Sequence, residues 1–463
     1  MRISVVGLGK LGAVLAAVLA EKDFHVIGVD LDQACVAAVN SGATPVDEPG
    51  LDALIKKNCQ RLSATTDCQD AVVSTDVTFI VVPTPSEERG GFSLKHVLKT
   101  VEQIGLGLRR KTGFHLVVLS STVLPGSMDG AVRPLLETIS GKECGRDFGL
   151  CYNPEFIALG TVIRDFCNPD LVLIGEWDEN SGRILEGIHR RICESHPTIA
   201  RMSFVNAELT KLCINTYVTL KISYANMLAA LCEKLPGADV DVVTAALGAD
   251  TRIGPKYLKG GLGYGGPCFP RDNIAFTALA RDIGAQAPLS EVTDHLNRQL
   301  AIRLSDRVAS MLQAGQTAGV LGLSYKPLTN VVEESQGLML AQHLSERGVR
   351  VVVYDPEAMG NARKVLGSGV TFAPSMEQCA AEAHVLAITT PWDQFRALKP
   401  AHLRQCDGGA VVLDCWRILR PEDFESGARY MTLGLGPARR TPAAGQEWAG
   451  DSTPCPGAAS AGQ

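Results

Sequence analysis

The first thirty residues leave little choice of fold. An apolar run at 2–7 (RISVVG) leads into Gly7-Leu8-Gly9-Lys10-Leu11-Gly12, then a helix-like segment (LGAVLAAVLAEK), then a second apolar run at 25–30 (HVIGVD). Strand, glycine turn, helix and strand in that order make a βαβ unit, which requires parallel strands. In such a turn Gly7 makes the bend, Gly9 lets a pyrophosphate approach the backbone, and Gly12 allows close helix–strand packing. The helix N-terminus, reached through Lys10 and Leu11, then turns its unpaired N–H groups toward the phosphates. Asp30 ends the second run 18 residues past Gly12. It is placed to accept from a ribose 2′-hydroxyl and to repel a 2′-phosphate, so NAD is the expected dinucleotide rather than NADP.

The alternation continues. Apolar runs follow at 78–85, 115–122, 148–155 and 171–175, separated by helical segments, which predicts a parallel, doubly wound sheet. Thr84, Pro85, Ser121 and Thr122 fall where strand ends open onto a cofactor crevice. Near residue 205 the character changes: 206–235 carries apolar residues at helical spacing with neither Gly nor Pro, and stops at Pro236-Gly237. So long and apolar a helix wants a partner on more than one face, and a subunit interface is expected there. A second alternation occupies 318–325, 349–355, 383–389 and 410–415, and it lacks a G-x-G-x-x-G. The expected organisation is an N-terminal NAD-binding domain (1–200), a central helical region (201–300), a C-terminal Rossmann-like domain (301–436) and a disordered Pro/Ala/Gly/Ser-rich tail (437–463).

Composition fits this picture and removes some classes. With 463 residues, 46% hydrophobic and 20% charged, the chain is long enough for two or three cores. A net charge of −6 gives no basic footprint for nucleic acid. The N-terminus starts a strand at once rather than a leader, and no 18-residue apolar stretch exists to span a membrane. The 14 cysteines are scattered singly, with no C-x-x-C and no metal-type spacing. Reduced thiols in a cytoplasm, and no metal, are the expectation.

Two constellations carry chemistry. Residues 259–272 read KGGLGYGGPCFPRD, with five glycines in the seven residues from Gly260 to Gly266. Such a loop makes sense where backbone must approach a ligand closely. Cys268 closes it and Asp272 lies one helical turn beyond, so Cys268 is the candidate nucleophile, expected to be exposed beside positive charge or a helix N-terminus. Lys211 and Asn215 stand i, i+4 on one face of the long helix, in apolar surroundings that would lower the lysine's pKa and suit it to stabilise an oxyanion.

Taken together, the chain resembles the UDP-glucose/GDP-mannose dehydrogenase family over roughly residues 1–435. The matching motifs are Gly7–Gly12, Glu48-Pro49-Gly50-Leu51, Thr84-Pro85, Ser121-Thr122-Val123, Asn153-Pro154-Glu155-Phe156, Lys211 with Asn215, Arg252-Ile253-Gly254, the Cys268 loop with Asp272, and Tyr325-Lys326-Pro327. The resemblance implies two Rossmann-like domains joined by a helix that dimerises. It implies four-electron oxidation of a nucleotide-activated hexose to the uronic acid, most often UDP-glucose to UDP-glucuronate, with NAD as acceptor. UDP-N-acetyl-mannosamine, UDP-N-acetyl-glucosamine and GDP-mannose are the alternative substrates. In that scheme Cys268 forms a thiohemiacetal and then a thioester, and Lys211 and Asn215 hold the oxyanion. Asp272 and Thr122 position a proton-accepting water, and Glu155 assists hydrolysis. Glu155, Phe156, Lys211, Arg252, Tyr257, Lys259, Gly265 and Lys326 would contact the sugar nucleotide.

Two positions depart from the family pattern. Leu159 stands where a second acid is common, and Glu333 where an arginine often meets cofactor phosphates. Two other classes compete with this reading. A two-electron 3-hydroxyacid-type dehydrogenase needs neither the cysteine loop nor the second α/β domain. A catalytically silent binder of NAD or sugar nucleotide would not need Cys268, Lys211, Asn215 and Asp272 together.

Overall fold

The computed structural model describes residues 1–405, 409–425 and 427–438, so the expected disordered tail lies, from 439 onward, outside the described residues. Eight strands form the first sheet: β1 (Arg2–Val6), β2 (His25–Val29), β3 (Leu62–Thr65), β4 (Val77–Ile80), β5 (Leu116–Leu119), β6 (Gly149–Tyr152), β7 (Leu171–Glu176) and β8 (Thr198–Met202), in the order β3-β2-β1-β4-β5-β6-β7-β8. The central strands are continuous apolar runs because both faces are covered. In β5, Leu116 and Val118 join the layer built on the helix Gly12–Glu21, while Val117 and Leu119 join the layer opposite. The expectation of a wholly parallel sheet needs one correction: β7 runs antiparallel to β6, pairing Cys151 with Glu176 and Tyr152 with Gly175. The chain turns back through 153–170 instead of crossing over, and β8 then runs parallel to β7.

The reversal delivers the chain to the start of a 29-residue helix, Phe204–Cys232, about 43 Å long at 1.5 Å per residue. Around it pack the helices Val240–Ala249, Phe269–Asp282 and Pro288–Ser310. The second sheet is wholly parallel: β9 (Thr317–Leu321), β10 (Arg350–Tyr354), β11 (Thr371–Phe372), β12 (Val385–Ile388), β13 (Ala410–Asp414) and β14 (Ala428–Thr432), in the order β11-β10-β9-β12-β13-β14. Asp355, after β10, echoes Asp30: its Oδ2 accepts from Leu323 N at 2.7 Å, as Asp30 Oδ2 accepts from Leu8 N at 2.7 Å. The indole of Trp392 also donates to Asp355, at 3.2 Å, and the carboxylate is sealed from ligands. Among the described residues no helix is long and apolar enough to cross a membrane.

Candidate active site

Strands β1, β2, β4, β5 and β6 end on one edge of the first sheet, and the loops there build a crevice. Gly7 has φ +96°, and a Cβ on Gly12 would run into the Gly7 carbonyl oxygen, while nothing stands within 4 Å of the space a Cβ would take at Gly9. That open space above a helix N-terminus is the opening a pyrophosphate needs. A cavity of about 560 Å³ continues from Gly7 past Asp30, Leu31, Thr66, Pro83 and Lys99. Asp30 accepts from Leu8 N and, through Oδ1, from Asp32 N at 2.9 Å, which holds the carboxylate at the crevice. These residues fit NAD. Beyond the strand ends, hydroxyls replace the ladder: Ser121 Oγ donates to Val82 O (2.6 Å) and accepts from Val82 N (3.0 Å), and Thr84 Oγ1 donates to Thr122 O (2.8 Å). Pro85 continues this wall, its carbonyl accepting from Ser93 N at 2.8 Å.

Facing this edge is a buried polar cluster. Lys211 Nζ donates to the carbonyl of Glu155 at 2.5 Å and lies 4.5 Å from the Phe156 ring centre. Asn215 Nδ2 donates to Asp272 Oδ2 at 2.6 Å, and Arg271 Nε stands 3.6 Å from the other Asp272 oxygen. Burial lowers the Lys211 pKa, against the opposing pull of Asp272, Cys268 and Glu155. Burial also raises that of Asp272, with Lys211 and Arg271 working the other way. Glu155 is pushed up to about 7 by burial, eased by Lys211, and its Oε1 finds no hydrogen-bond partner among the described residues. Asn153 anchors this segment: it donates to Leu173 O (3.0 Å) and pairs with His189 Nε2 (2.8 Å).

Cys268 sits exposed at the N-cap of Phe269–Asp282. The exposure and the helix terminus are as expected, but the thiol is not made acidic. Burial of the surrounding cleft and the Asp272 charge raise its pKa, and Lys211 and Arg271 only partly offset them. The glycine loop is shaped by close approach. A Cβ on Gly265 would strike the carbonyl of Glu334, and Gly266 (φ +83°) lies against the Tyr325 ring. Lys326, next in the chain, is half-buried with a lowered pKa.

Three expected contacts are not brought to this cluster. Arg252 is exposed, and its guanidinium closes a turn onto Asp250 (2.6 Å), so its charge is spent locally. Tyr257, at φ +65°, and Lys259 are exposed as well. That turn is tied to the long helix by Lys221 Nζ, which donates to the carbonyls of Ile253 (3.1 Å) and Gly254 (3.2 Å). Leu159 packs against the apolar layer of the first sheet, so no second acid is present at that position. Glu333 is exposed, and its charge raises the Cys268 pKa.

Other residues escaped the sequence reading. Arg271 Nη1 reaches the Thr84 carbonyl (3.0 Å) and its guanidinium stacks 4.6 Å from the Phe92 ring centre, so it joins the helix that Cys268 caps to the crevice wall. Glu208, buried one turn before Lys211, accepts from Gly126 N (2.7 Å) and Met128 N (2.8 Å) and fixes the loop after Thr122. Asn226 and Asn297 each grip the glycine loop with both ends of the amide. Asn226 accepts from Gly261 N (2.9 Å) and donates to Leu262 O (3.0 Å), and Asn297 does the same to Tyr264 N and O, both at 2.9 Å. The available signal was polar residues at the buried phase of two helices.

Similarity to known proteins covers most of the chain. Residues 1–193 match the NAD binding domain of the UDP-glucose/GDP-mannose dehydrogenase family, 205–299 its central domain and 319–421 its UDP binding domain. The UDP-glucose 6-dehydrogenase AglM of Haloferax volcanii is 36% identical over 402 residues, which are 86% of this chain and 93% of that protein. The GDP-mannose 6-dehydrogenase of Pseudomonas aeruginosa is 36% identical over 359 residues, 77% of this chain and 81% of that protein. The solved structure of a UDP-glucose dehydrogenase from Pyrobaculum islandicum superposes with a TM-score of 0.84 at 33% identity, covering 94% of this chain and 97% of that one.

Proposed function

This chain belongs to the UDP-glucose/GDP-mannose dehydrogenase family and is an NAD-dependent nucleotide-sugar 6-dehydrogenase, and from that premise we propose that it oxidises UDP-glucose to UDP-glucuronate through a thioester on Cys268. The observation that carries the reading is the meeting of Lys211, Asn215, Asp272 and Glu155 beside Cys268, at the edge of the NAD-binding sheet. Bound NAD supplies the hydride acceptor, once for each of two oxidations. In the first, the C6 alcohol loses a hydride and, through a water held by Asp272 and Thr122, a proton. Cys268 then adds to the aldehyde: a C–S bond forms and the oxygen gains the proton the thiol gives up. Lys211 and Asn215 stabilise the oxyanion in a site where burial strengthens their interaction. Loss of the second hydride and the hydroxyl proton leaves the thioester. Water, deprotonated by the Glu155 carboxylate, breaks the C–S bond, so that the acid leaves and the thiol is restored. Because the intermediate is covalently held, no free aldehyde escapes.

Phe156 lies against Lys211, Gly265 belongs to the Cys268 loop, and Lys326 follows the Tyr325 ring packed on that loop, and the three are read as sugar-nucleotide contacts. UDP-glucose is favoured by the names of relatives at 36% and 33% identity, and GDP-mannose is the rival at 36%. The test is NADH formation on a panel of UDP-glucose, UDP-N-acetyl-mannosamine, UDP-N-acetyl-glucosamine and GDP-mannose, with the product identified by mass. Two NADH per acid are expected, and one NADH with free aldehyde overturns the mechanism. Cys268→Ser is expected to retain NAD binding and form no acid; an unchanged acid yield moves the nucleophile elsewhere.

The long helix carries a second reading. One face packs inward through Ala207, Leu212, Thr219 and Ala225, while Tyr217, Tyr224, Met227 and Leu231 are exposed at helical spacing on the other. An apolar stripe of this kind suits a second copy of the same helix, and we infer a homodimer through it.

A further inference from the structure

The Glu48-Pro49-Gly50-Leu51 motif has no part in the chemistry above, yet Glu48 is buried. Its Oε2 accepts from Gly160 N at 2.9 Å and its Oε1 from Val162 N at 2.8 Å. Gly160 and Val162 flank Thr161, the N-cap of the short helix Val162–Cys167, which makes no side-chain cap bond. The Thr161 hydroxyl bonds instead to Ala158 O (3.1 Å) and Asp165 Oδ2 (2.8 Å). A carboxylate from more than a hundred residues upstream therefore satisfies the backbone donors on either side of the N-cap, Gly160 N and Val162 N, the latter one of the helix's unpaired first N–H groups.

What it holds matters at both ends. Upstream, the same segment presents the Glu155 carbonyl and the Phe156 ring to Lys211. Downstream, Gly160 (φ +84°) lies so close to the turn after Tyr325-Lys326-Pro327 that a Cβ would strike the Leu328 carbonyl oxygen. Leu328 itself is held at φ +61°. The charges of Asp165 and Glu48 both reach Lys326, opposing the effect of its burial. One carboxylate thus underlies the segment that joins the first sheet, the long helix and the second sheet.

We propose that Glu48 is a positioning residue for the sugar side of the active site. By clasping Gly160 and Val162 it sets the 155–162 segment, and with it the Lys211 contacts and the seat of the Lys326 turn. This rests on the reading that Lys211 and Lys326 face the nucleotide sugar. Glu48 touches none of the crevice loops that receive NAD, so its effect should divide between the two substrates.

Glu48→Gln keeps the shape but turns an amide N–H toward one of the two backbone donors, and Glu48→Asp keeps the charge but is too short to span both. The full-length variants are assayed on whichever sugar nucleotide of the panel above the wild type oxidises. Glu48→Gln is expected to raise KM for the sugar nucleotide roughly tenfold, equivalent to about 1.4 kcal/mol, while KM for NAD stays within about twofold. Glu48→Asp should fall between it and the wild type. In a Lys326→Ala background the effect of Glu48→Gln should shrink, because both act through one turn. Equal rises in both KM values, unchanged KM values, full additivity with Lys326→Ala, or loss of soluble protein in both variants marks Glu48 as general structural support and overturns the proposal. A wild type that oxidises no sugar nucleotide overturns the functional reading instead.

Discussion

Glu155 is the residue whose chemistry is most exposed to measurement. Burial lifts its carboxyl to about 7, so it changes charge in the range where a general base is most effective. In the proposed mechanism only the carboxylate can accept a proton from the hydrolytic water, so thioester hydrolysis should accelerate as pH rises through about 7 and slow below it. Intact-protein mass spectrometry after rapid quenching should find the acylated chain accumulating at about pH 6 and scarce at about pH 8. Glu155→Gln should accumulate it at both, and equal occupancy at both pH values in the wild type would assign the base elsewhere. At this scale the sequence was readable where spacing alone made a pair. Lys211 and Asn215 at i, i+4, and Cys268 and Asp272 at the same interval, define the cluster with no tertiary information. Arg271 was not readable, because an Arg beside an Asp looks like a surface pair until folding aims it at Thr84 and Phe92. Arg252 shows the other side: its nearest charge is Asp250, two residues away, a pairing that only the folded turn reveals.

Among elements, the glycine loop depends on the helices that flank it. Five glycines resist ordering because each loses more conformational freedom than another residue would. Asn226 and Asn297 offset that by fixing a donor and an acceptor apiece at buried positions. Asn226→Ala strands Gly261 N–H and Leu262 C=O without partners and should destabilise the fold by roughly 2–4 kcal/mol, read as a lower midpoint in urea unfolding. A shift of under about 0.5 kcal/mol would mean the loop holds its shape unaided. Elements also show where patterning fails. The strands not anticipated were β3, β8, β11 and β14, and these are the four edge strands of the two sheets. A central strand such as β5 is buried at every position and reads as an unbroken apolar run, whereas β8 (Thr198–Met202) is nowhere fully buried and reads as loop. The hydrophobic pattern reports how many faces are covered, and edges have fewer.

For the whole molecule, assembly is the open quantity that the structure makes testable. Tyr217 is 61% exposed and Tyr224 46%. Tyr217→Glu with Tyr224→Glu should leave the fold intact and convert the proposed dimer to a monomer in sedimentation or light scattering; a variant that stays dimeric places the contact on another surface. The two α/β sheets were legible from two runs of alternating strands around one uninterrupted helix, but the direction of β7 was not, since an apolar run carries no arrow. That reversal has its own consequence. Because β7 and β8 run against the first six strands, with Met202 paired to Gly175 and Gly175 to Tyr152, β8 ends level with the carboxyl end of β6, and the long helix begins there with Ala207 packed beside Gly175. Two turns of helix from Phe204 then place Lys211 at the Glu155 carbonyl, three residues past the end of β6. The helix thus works as a ruler whose zero is Phe204. One residue added between Phe204 and Lys211 would lengthen it by about 1.5 Å and rotate the lysine by about 100°, turning it out of the cleft. Side chains on the outward face of this stretch can vary, but its length and Glu208 are set by what they must reach, the Glu155 carbonyl and the loop after Thr122.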